Sequence, residues 1–125
     1  MPHLVYVAIG GAIGASLRYL VNMAAFRLAG ATFPWGTLAV NLAGCFAMGL
    51  LVELLARRFD ASPELRLFLA TGLLGGFTTF SAFSLDAVSL WERGAATAAA
   101  GYVAASVVGS LAALIAGMWL ARSLA

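Results

Sequence analysis

The chain has 125 residues, of which 63% are hydrophobic and only 10% are charged. A water-soluble domain carries roughly 25% charged residues, so this composition excludes a globule surrounded by water. The net charge is +2, and its seven basic residues are thinly spread arginines, which argues against nucleic-acid binding. One histidine and one cysteine provide neither a metal cluster nor a nucleophile–base pair, so we do not expect an enzyme.

Four long apolar stretches follow one another and use nearly the whole chain. A helix needs about 20 largely apolar residues to cross a bilayer, and each stretch reaches that length. The sequence therefore predicts an all-α integral membrane protein, with one four-helix transmembrane domain over residues 1–125. The predicted spans are Leu4–Leu28, Trp35–Ala56, Glu64–Leu90 and Ala95–Leu120.

The first two spans each carry a polar side chain that hydrocarbon disfavours. Arg18 cannot lie wholly outside the bilayer, because Leu4–Leu17 alone is too short to cross it. Its guanidinium either reaches an interface, supplies positive charge to a vestibule or pairs with an acid. Asn41 lies well inside the second span, where its amide either joins helices or serves as a functional donor.

The third span contains a run of glycines and hydroxyl residues that predicts irregular backbone. The pair Gly75-Gly76 lowers helix propensity by about 1 kcal/mol per glycine relative to alanine. The threonines that follow can bond freed backbone groups. We therefore predict a helix break near Gly75 to Thr79, and non-helical backbone at such depth must be buried in protein or line a wet cavity.

Two phenylalanines and two serines come directly after the predicted break. Phe80 and Phe83 share one helix face, and Ser81 and Ser84 share a neighbouring face. The phenylalanines are either ordinary packing residues or part of a functional site. Their position beside a break and a hydroxyl cluster favours the functional interpretation.

The fourth span carries two stripes with a four-residue repeat. Small residues let helix backbones approach closely, and here they either pack within one chain or form the seam of a dimer. The hydroxyls beside them either bond neighbouring helices or line a pathway. The small residues are Gly101, Ala105, Gly109, Ala113 and Gly117, and the hydroxyl residues are Tyr102, Ser106 and Ser110.

The arginines are divided unevenly between the two sides of a four-span chain. The side that holds both termini carries more of them, which favours cytoplasmic termini by the positive-inside rule. The bias is small enough to permit insertion in both orientations, and such a chain could form an antiparallel dimer. The richer side has Arg57, Arg58, Arg66 and Arg122, and the other has Arg27 and Arg93.

Acidic residues are absent from the middle of every predicted span, and Asp86 comes closest. A proton-coupled cation exporter needs a buried carboxylate for which substrate and proton compete. The spans offer hydroxyls, an amide, an arginine and the positive edges of aromatic rings instead. This set suits a small anion.

Each span also carries a short signature, and the third is the most specific. The first has Gly10-Gly11-Ala12-Ile13-Gly14-Ala15 with Arg18-Tyr19, and the second has Pro34-Trp35-Gly36-Thr37-Leu38 with Val40-Asn41 and Gly44. The third has Gly72 and Gly75-Gly76-Phe77-Thr78-Thr79-Phe80-Ser81 with Phe83-Ser84, and the fourth has Gly101-Tyr102 with Gly109-Ser110. In this order the signatures resemble those of the Fluc (CrcB) family of bacterial fluoride channels.

The resemblance implies an antiparallel, dual-topology homodimer in the bacterial inner membrane, with two pathways that export cytoplasmic fluoride passively. It also implies a structural Na⁺ at the dimer centre, bound by backbone carbonyls of Gly75 and Thr78. The pathway residues that it implies are Asn41 as donor to fluoride, Phe80 and Phe83 with ring edges facing the ion, Ser81 and Ser84 as a polar track, and Tyr102, Ser106 and Ser110 along the pathway or its vestibules.

Two features and two other functions remain open at this point. Asp86 stands where some relatives carry glutamate, and Ala82 stands where some carry a hydroxyl. A small multidrug exporter is also a four-helix, dual-topology dimer, but it would need a carboxylate in the first span, which has Arg18. A non-transporting assembly subunit would leave the predicted break unexplained.

Overall fold

A computed structural model describes residues 2–57 and 62–124, and every regular element in these ranges is helical. These ranges contain four segments that are long and apolar enough to cross a membrane, three of them single helices and one a pair of helices. They confirm the four predicted spans. Helix α1 of 27 residues is about 40 Å long, more than the roughly 30 Å of bilayer hydrocarbon. The helices are α1 (His3–Ala29), α2 (Trp35–Arg57), α3 (residues 63–77), α4 (Phe80–Glu92) and α5 (Ala96–Leu124).

Tight turns connect the spans where glycine adopts a positive φ. Helix α1 ends at Gly30, whose φ of 79° few other residues adopt and whose N–H donates to the Phe26 carbonyl. Gly94, with φ of 82°, lies in the short turn between α4 and α5. These turns make consecutive spans antiparallel neighbours.

The third span is built from two helices, α3 and α4. Ser62 caps α3 by accepting a hydrogen bond from the Leu65 amide, and Pro63 follows it in the first turn. The middle of α3, Leu67–Leu74, is a π-helix, and it lies between α-helical turns at Pro63–Arg66 and Gly75–Phe77. Thr78 (φ −83°, ψ 159°) and Thr79 (φ −154°, ψ 124°) are extended, and α4 begins at Phe80. The glycine pair itself is helical, so the irregular residues are the two threonines.

Glycines set the closest approaches between helices. Helix α1 packs against the π-helical part of α3, and a Cβ added at Gly14 would overlap the Leu73 carbonyl oxygen. Helix α2 packs along α5, where a Cβ at Gly117 would overlap the Phe46 carbonyl oxygen. Gly101, by contrast, has no heavy atom within 4 Å of its Cβ position. The small-residue stripe of the fourth span therefore packs within the chain at Gly117, and it is open at Gly101.

A small core lies between α2, α4 and α5 and fixes the position of the aromatic residues discussed below. Its buried residues are Leu38, Phe83, Leu90, Ala99 and Tyr102. Outside this core, large apolar side chains face outward on every helix, such as Leu20, Val52, Val88 and Ile115, each about half exposed or more. Such surfaces belong in lipid, because soluble monomers rarely expose large contiguous apolar patches.

The distribution of arginines agrees with the predicted side for the residues that the structure describes. Arg66 is in the first turn of α3 and Arg122 in the last turn of α5, at the end of the bundle that also holds His3. Arg93 follows α4 at the opposite end. Arg58, which the orientation argument also used, lies outside the described residues.

The helix contact at Gly14 gives a test of the fold. Gly14→Ala should lower the free energy of unfolding by about 1–3 kcal/mol, because the added methyl meets backbone atoms of α3 that cannot rotate away. Thermal unfolding in detergent, followed by circular dichroism, measures the change. Gly11→Ala adds the same methyl to the same helix, where the nearest atom to the new Cβ is the Gly72 carbonyl oxygen at 4.0 Å, and it should leave the midpoint unchanged or raise it. Equal midpoints for the two variants would contradict the packing of α1 on α3.

Candidate functional site

The interruption between α3 and α4 is stabilised by the hydroxyl groups of its own threonines. The Thr78 N–H and Oγ1 both donate to the Leu74 carbonyl, each at 3.0 Å. The Thr79 Oγ1 accepts a hydrogen bond of 3.1 Å from the Ala82 N–H, as the N-cap of α4. The two threonines thus end one helix and begin the next.

Asn41 of α2 holds Thr79 from the side through both of its backbone groups. The Asn41 Nδ2 donates to the Thr79 carbonyl at 3.0 Å, and the Asn41 Oδ1 accepts from the Thr79 N–H at 2.8 Å. The amide therefore replaces the partners that Thr79 would have in a continuous helix. A carboxamide nitrogen carries two hydrogens, so one donor of Asn41 remains beyond this pair.

Arg18 of α1 contacts the same segment from another direction. Its Nε donates to the Gly76 carbonyl at 3.1 Å, near the C-terminal end of α3. A cation there is favourable because the last carbonyls of a helix carry partial negative charge. This contact joins α1 to the end of α3.

An aromatic row runs from the interruption into the core. The rings of Phe80 and Phe83 lie with centroids 5.4 Å apart at an angle of 49°, and Phe83 is 5.3 Å from Tyr102. Phe83 and Tyr102 are buried, whereas Phe80 is 76% exposed. The Tyr102 hydroxyl donates to the Asp86 Oδ2 at 3.2 Å. The Phe80 ring thus lies on the surface of the chain, next to the ring of Phe83, which is buried in the core.

A cleft of about 320 Å³ opens beside the interruption. Six of the residues predicted for the sites line it together, five from the predicted pathway and Thr78 from the predicted cation site, and none of its lining residues is charged. Ser106 is 5% exposed, and its Oγ is buried beneath the surface of the cleft. The lining comprises the pathway residues Asn41, Phe80, Phe83, Ser106 and Ser110, the predicted cation ligand Thr78, and Cys45, Thr79, Val107 and Leu111.

The remaining predicted hydroxyl residues do not line this cleft. The Ser81 Oγ lies 3.3 Å from the Thr79 Oγ1, and the Ser84 Oγ donates to the Phe80 carbonyl of its own helix at 3.0 Å. Tyr102 lies beneath Phe83, with its hydroxyl directed to Asp86. These side chains surround the interruption without facing the same space.

A second cleft, of about 360 Å³, lies toward the end of the bundle that holds the first loop. It contains polar and charged side chains, including Asn22, Asp86, Ser89 and Arg93. Tyr102 reaches toward it through its bond to Asp86 and toward the first cleft through Phe83. The second cleft is therefore lined by polar and charged side chains, unlike the first, and Tyr102 contacts one lining residue of each cleft, Phe83 and Asp86.

The sequence interpretation missed contacts or positions of three residues at the site: Thr79, Asp86 and Cys45. Thr79 receives both Asn41 bonds, Asp86 receives the Tyr102 hydroxyl, and Cys45 lines the cleft one turn after Asn41. Asp86 follows Phe83 by three residues, so helical spacing could have placed the two on one side of α4. The contact between Asn41 and Thr79 joins residues 38 apart in sequence, and no local pattern reveals it.

Comparison with known proteins identifies the family of this chain. The family model described as CrcB-like protein, Camphor Resistance (CrcB), matches residues 5–118. The chain belongs to the CrcB family. This match confirms the resemblance carried by the four signatures.

Relatives in the CrcB family cover the whole chain. The "Fluoride-specific ion channel FluC" of Chelativorans sp. (strain BNC1) is 66% identical over 124 residues, which are 99% of each chain. The protein of the same name from Rhizobium johnstonii is 63% identical over 125 residues, 100% of each chain. That from Mesorhizobium japonicum is 60% identical over 124 residues, 99% of each. The name of these relatives describes an ion channel and no enzyme.

The pairing of Asn41 with Thr79 gives a test of the site in this CrcB-family chain. Asn41→Leu keeps the approximate shape of the side chain but leaves the Thr79 N–H and carbonyl without partners, at about 1–3 kcal/mol per buried group. The midpoint of thermal unfolding in detergent should therefore fall clearly. Ser16→Ala removes a hydroxyl that bonds only to Ala12 of its own helix, and its midpoint should stay near wild type. An Asn41→Leu protein as stable as the Ser16→Ala control would contradict the bracing of Thr79.

Proposed function

We propose that this chain is a subunit of a fluoride channel, multi-pass in a bacterial inner membrane, that lets cytoplasmic fluoride leave passively. The principal support is the name "Fluoride-specific ion channel FluC" shared by relatives 60–66% identical over 99–100% of the chain. The uncharged cleft at the Thr78–Thr79 interruption adds a physical reason. It joins ring edges, an amide and hydroxyls in one space.

The chemistry of the cleft suits a small, strongly hydrated anion. Fluoride must exchange its water for other hydrogen-bond donors, and the Asn41 amide and the Ser106 and Ser110 hydroxyls are such donors. The edges of Phe80 and Phe83 carry the positive part of the ring quadrupole. Conduction also requires that the ion leave easily, and a cleft without a charged side chain meets that condition.

The pathway proposed here lies in the middle of the bilayer, at the interruption of the third span. Irregular backbone at that depth is stable only in protein or beside a wet cavity, and the Asn41 contact and the cleft meet both conditions. Ser81, Ser84 and Tyr102 would flank this position. The second cleft, with Asp86 and Arg93, would serve as a vestibule that connects it with water on one side.

A single chain leaves this pathway open on one side, and a second copy would close it. Phe80 is 76% exposed although it lines the cleft, and Gly101 has open space where a neighbouring helix could approach. We propose an antiparallel, dual-topology homodimer, which the small arginine bias permits. A two-fold axis would generate two equivalent pathways, one at each cleft.

The carbonyls at the interruption fit a structural Na⁺. Among the described residues, the Leu74, Gly76 and Thr79 carbonyls are occupied by Thr78, Arg18 and Asn41, whereas no hydrogen bond engages those of Gly75 and Thr78. Residues 2–57 and 62–124 contain no cluster of three or more His, Cys, Asp or Glu side chains that could bind a metal. Gly75 and Thr78 from each subunit would supply the oxygen ligands that a hard cation prefers, and the ion would neutralise their partial negative charge.

The other functions considered from the sequence have less support. A proton-coupled multidrug exporter needs an accessible buried carboxylate, and α1 has no acidic residue. Glu53 is buried, but it is paired with Arg122 at 3.3 Å near the ends of α2 and α5. A non-transporting subunit gives no reason for the cleft or for the exposed Phe80 ring.

The two phenylalanines provide the direct test of the pathway. Phe80→Ile or Phe83→Ile should reduce fluoride efflux from loaded liposomes by about tenfold or more, because an aliphatic chain has no positive edge to face the anion. A fluoride-selective electrode measures the efflux. Phe68→Ile makes the same change in α3 at a distance from the cleft and should retain wild-type efflux. Unchanged efflux in both Phe80→Ile and Phe83→Ile would show that the two rings have no role in the pathway.

Native mass spectrometry tests the proposed assembly and its cation together. Protein purified in a sodium buffer should appear as a dimer that retains one Na⁺ after collisional removal of detergent. Exchange into a buffer whose only cation is N-methyl-D-glucamine should lower dimer stability on thermal unfolding if the ion is lost. A monomer, or a dimer whose mass contains no Na⁺ in sodium buffer, would contradict this part of the proposal.

A further inference from the structure

Helix α1 approaches the end of α3 backbone to backbone, and this contact determines where Arg18 lies. A Cβ added at Gly76 would be 2.8 Å from the Gly11 carbonyl oxygen, and one added at Gly14 would overlap the Leu73 carbonyl oxygen. Arg18 comes one helical turn after Gly14, on the same face of α1. Its side chain therefore starts from a fixed position beside the last turn of α3.

The Arg18 guanidinium lies at the carbonyl end of α3 and lines neither of the two clefts. Its Nε donates to the Gly76 carbonyl at 3.1 Å, and the bond is partly buried. No carboxylate of residues 2–57 and 62–124 forms an ion pair with Arg18. A guanidinium keeps its proton in proteins, so this end of α3 has a permanent positive charge beside it that no acid neutralises.

The bond from Arg18 separates the carbonyls at this end of α3 into two groups. The Leu74 carbonyl accepts from Thr78 and the Gly76 carbonyl accepts from Arg18. The Gly75 carbonyl accepts no such bond within the described residues. Successive residues of a helix are about 100° apart around its axis, so Gly75 directs its carbonyl to a different side from the one that Arg18 engages.

We infer that Arg18 sets the charge selectivity of the proposed cation site, so that the site holds a monovalent ion in preference to a divalent one. This inference rests on the proposed function and specifies which ions its cation site accepts. Na⁺ and Ca²⁺ are both hard cations that carbonyl oxygens bind, and they are similar in radius. A guanidinium one residue away from a ligand repels each unit of charge on the ion, so a divalent ion is opposed twice as strongly.

The surroundings strengthen this repulsion. Arg18 and Gly76 lie within spans that cross the bilayer, where the dielectric constant is well below that of water and salt screens charges poorly. A homodimer would also bring two copies of Arg18 to one cation site.

The number of ligands is a competing explanation for a preference against Ca²⁺. The carbonyls of Gly75 and Thr78 from two subunits are fewer than the roughly six to eight oxygens that Ca²⁺ takes. Removal of the Arg18 charge leaves these carbonyls in place. A change of selectivity in such a variant therefore comes from the charge and not from the ligand count.

Arg18→Gln tests the charge and keeps an amide donor at the same position. Thermal unfolding of the detergent-solubilised protein is followed in fluoride-free N-methyl-D-glucamine buffer at constant ionic strength, while Na⁺ or Ca²⁺ is added. The concentration of each ion that gives half-maximal stabilisation is measured, and wild type should require about tenfold less Na⁺ than Ca²⁺, or still less. In Arg18→Gln the ratio of the two concentrations should shift toward Ca²⁺ by about tenfold or more, because the repulsion of the divalent ion is removed.

Three further variants separate charge from bonding and from folding. Arg18→Met removes both the charge and the donor and should show the same shift, so the test does not depend on the stability of one variant. Arg18→Lys keeps the charge and should keep the preference for Na⁺. Arg27→Gln removes an arginine from the last turn of the same helix, and its ratio should equal that of wild type.

The outcomes distinguish this inference from the proposed function. If neither ion stabilises wild type, both the proposed cation site and the inference are wrong. If Na⁺ stabilises wild type but the ratio is unchanged in Arg18→Gln and Arg18→Met, the inference alone is wrong and the cation site stands. Equal stabilisation of wild type by Na⁺ and Ca²⁺ would also contradict it. Fluoride efflux from liposomes by wild type tests the channel function independently of these results.

Discussion

The structure depends on the pair of hydrogen bonds between the Asn41 amide and the backbone of Thr79. In hydrocarbon an unpaired backbone N–H or carbonyl costs several kcal/mol, so a span cannot leave its helical ladder unless other groups replace the lost partners. One carboxamide does this here, with a donor and an acceptor directed at the same residue. The threonine hydroxyls and Arg18 satisfy further groups on either side of it.

Because the third span is interrupted, backbone groups at both helix ends lack helical partners. The end of α3 presents the carbonyls of Gly75 and Thr78, and the start of α4 presents the amides of Phe80 and Ser81. The two ends have opposite partial charges, so one segment of a few residues suits both the proposed cation and the proposed anion. Phe80 and Phe83 then follow on the first turn of α4, beside the hydroxyl of Ser106. The location of the cleft is a consequence of the break.

Much of this could be predicted from the sequence because the signals are local. Mean hydropathy and length predicted four spans, and the third signature indicated the family. The glycine pair predicted irregular backbone between Gly75 and Thr79, whereas the structure has helical glycines and extended threonines at 78 and 79. Glycine only weakens a helix, and the position of the irregular residues was decided by Asn41, which lies on another span. The partners of Asn41, Arg18 and Tyr102 could not be predicted for the same reason, since each contact joins residues distant in sequence.

The conformation of Thr78 and Thr79 in a bilayer is the most direct test of this account. Solid-state NMR of uniformly labelled protein in lipid reports it through the Cα and Cβ chemical shifts, which separate helical from extended threonine. Extended shifts for Thr78 and Thr79 between helical shifts for Gly76 and Ser81 are expected. Helical shifts throughout residues 75–83 would show a continuous third span, and neither the pathway nor the cation site could then exist as described.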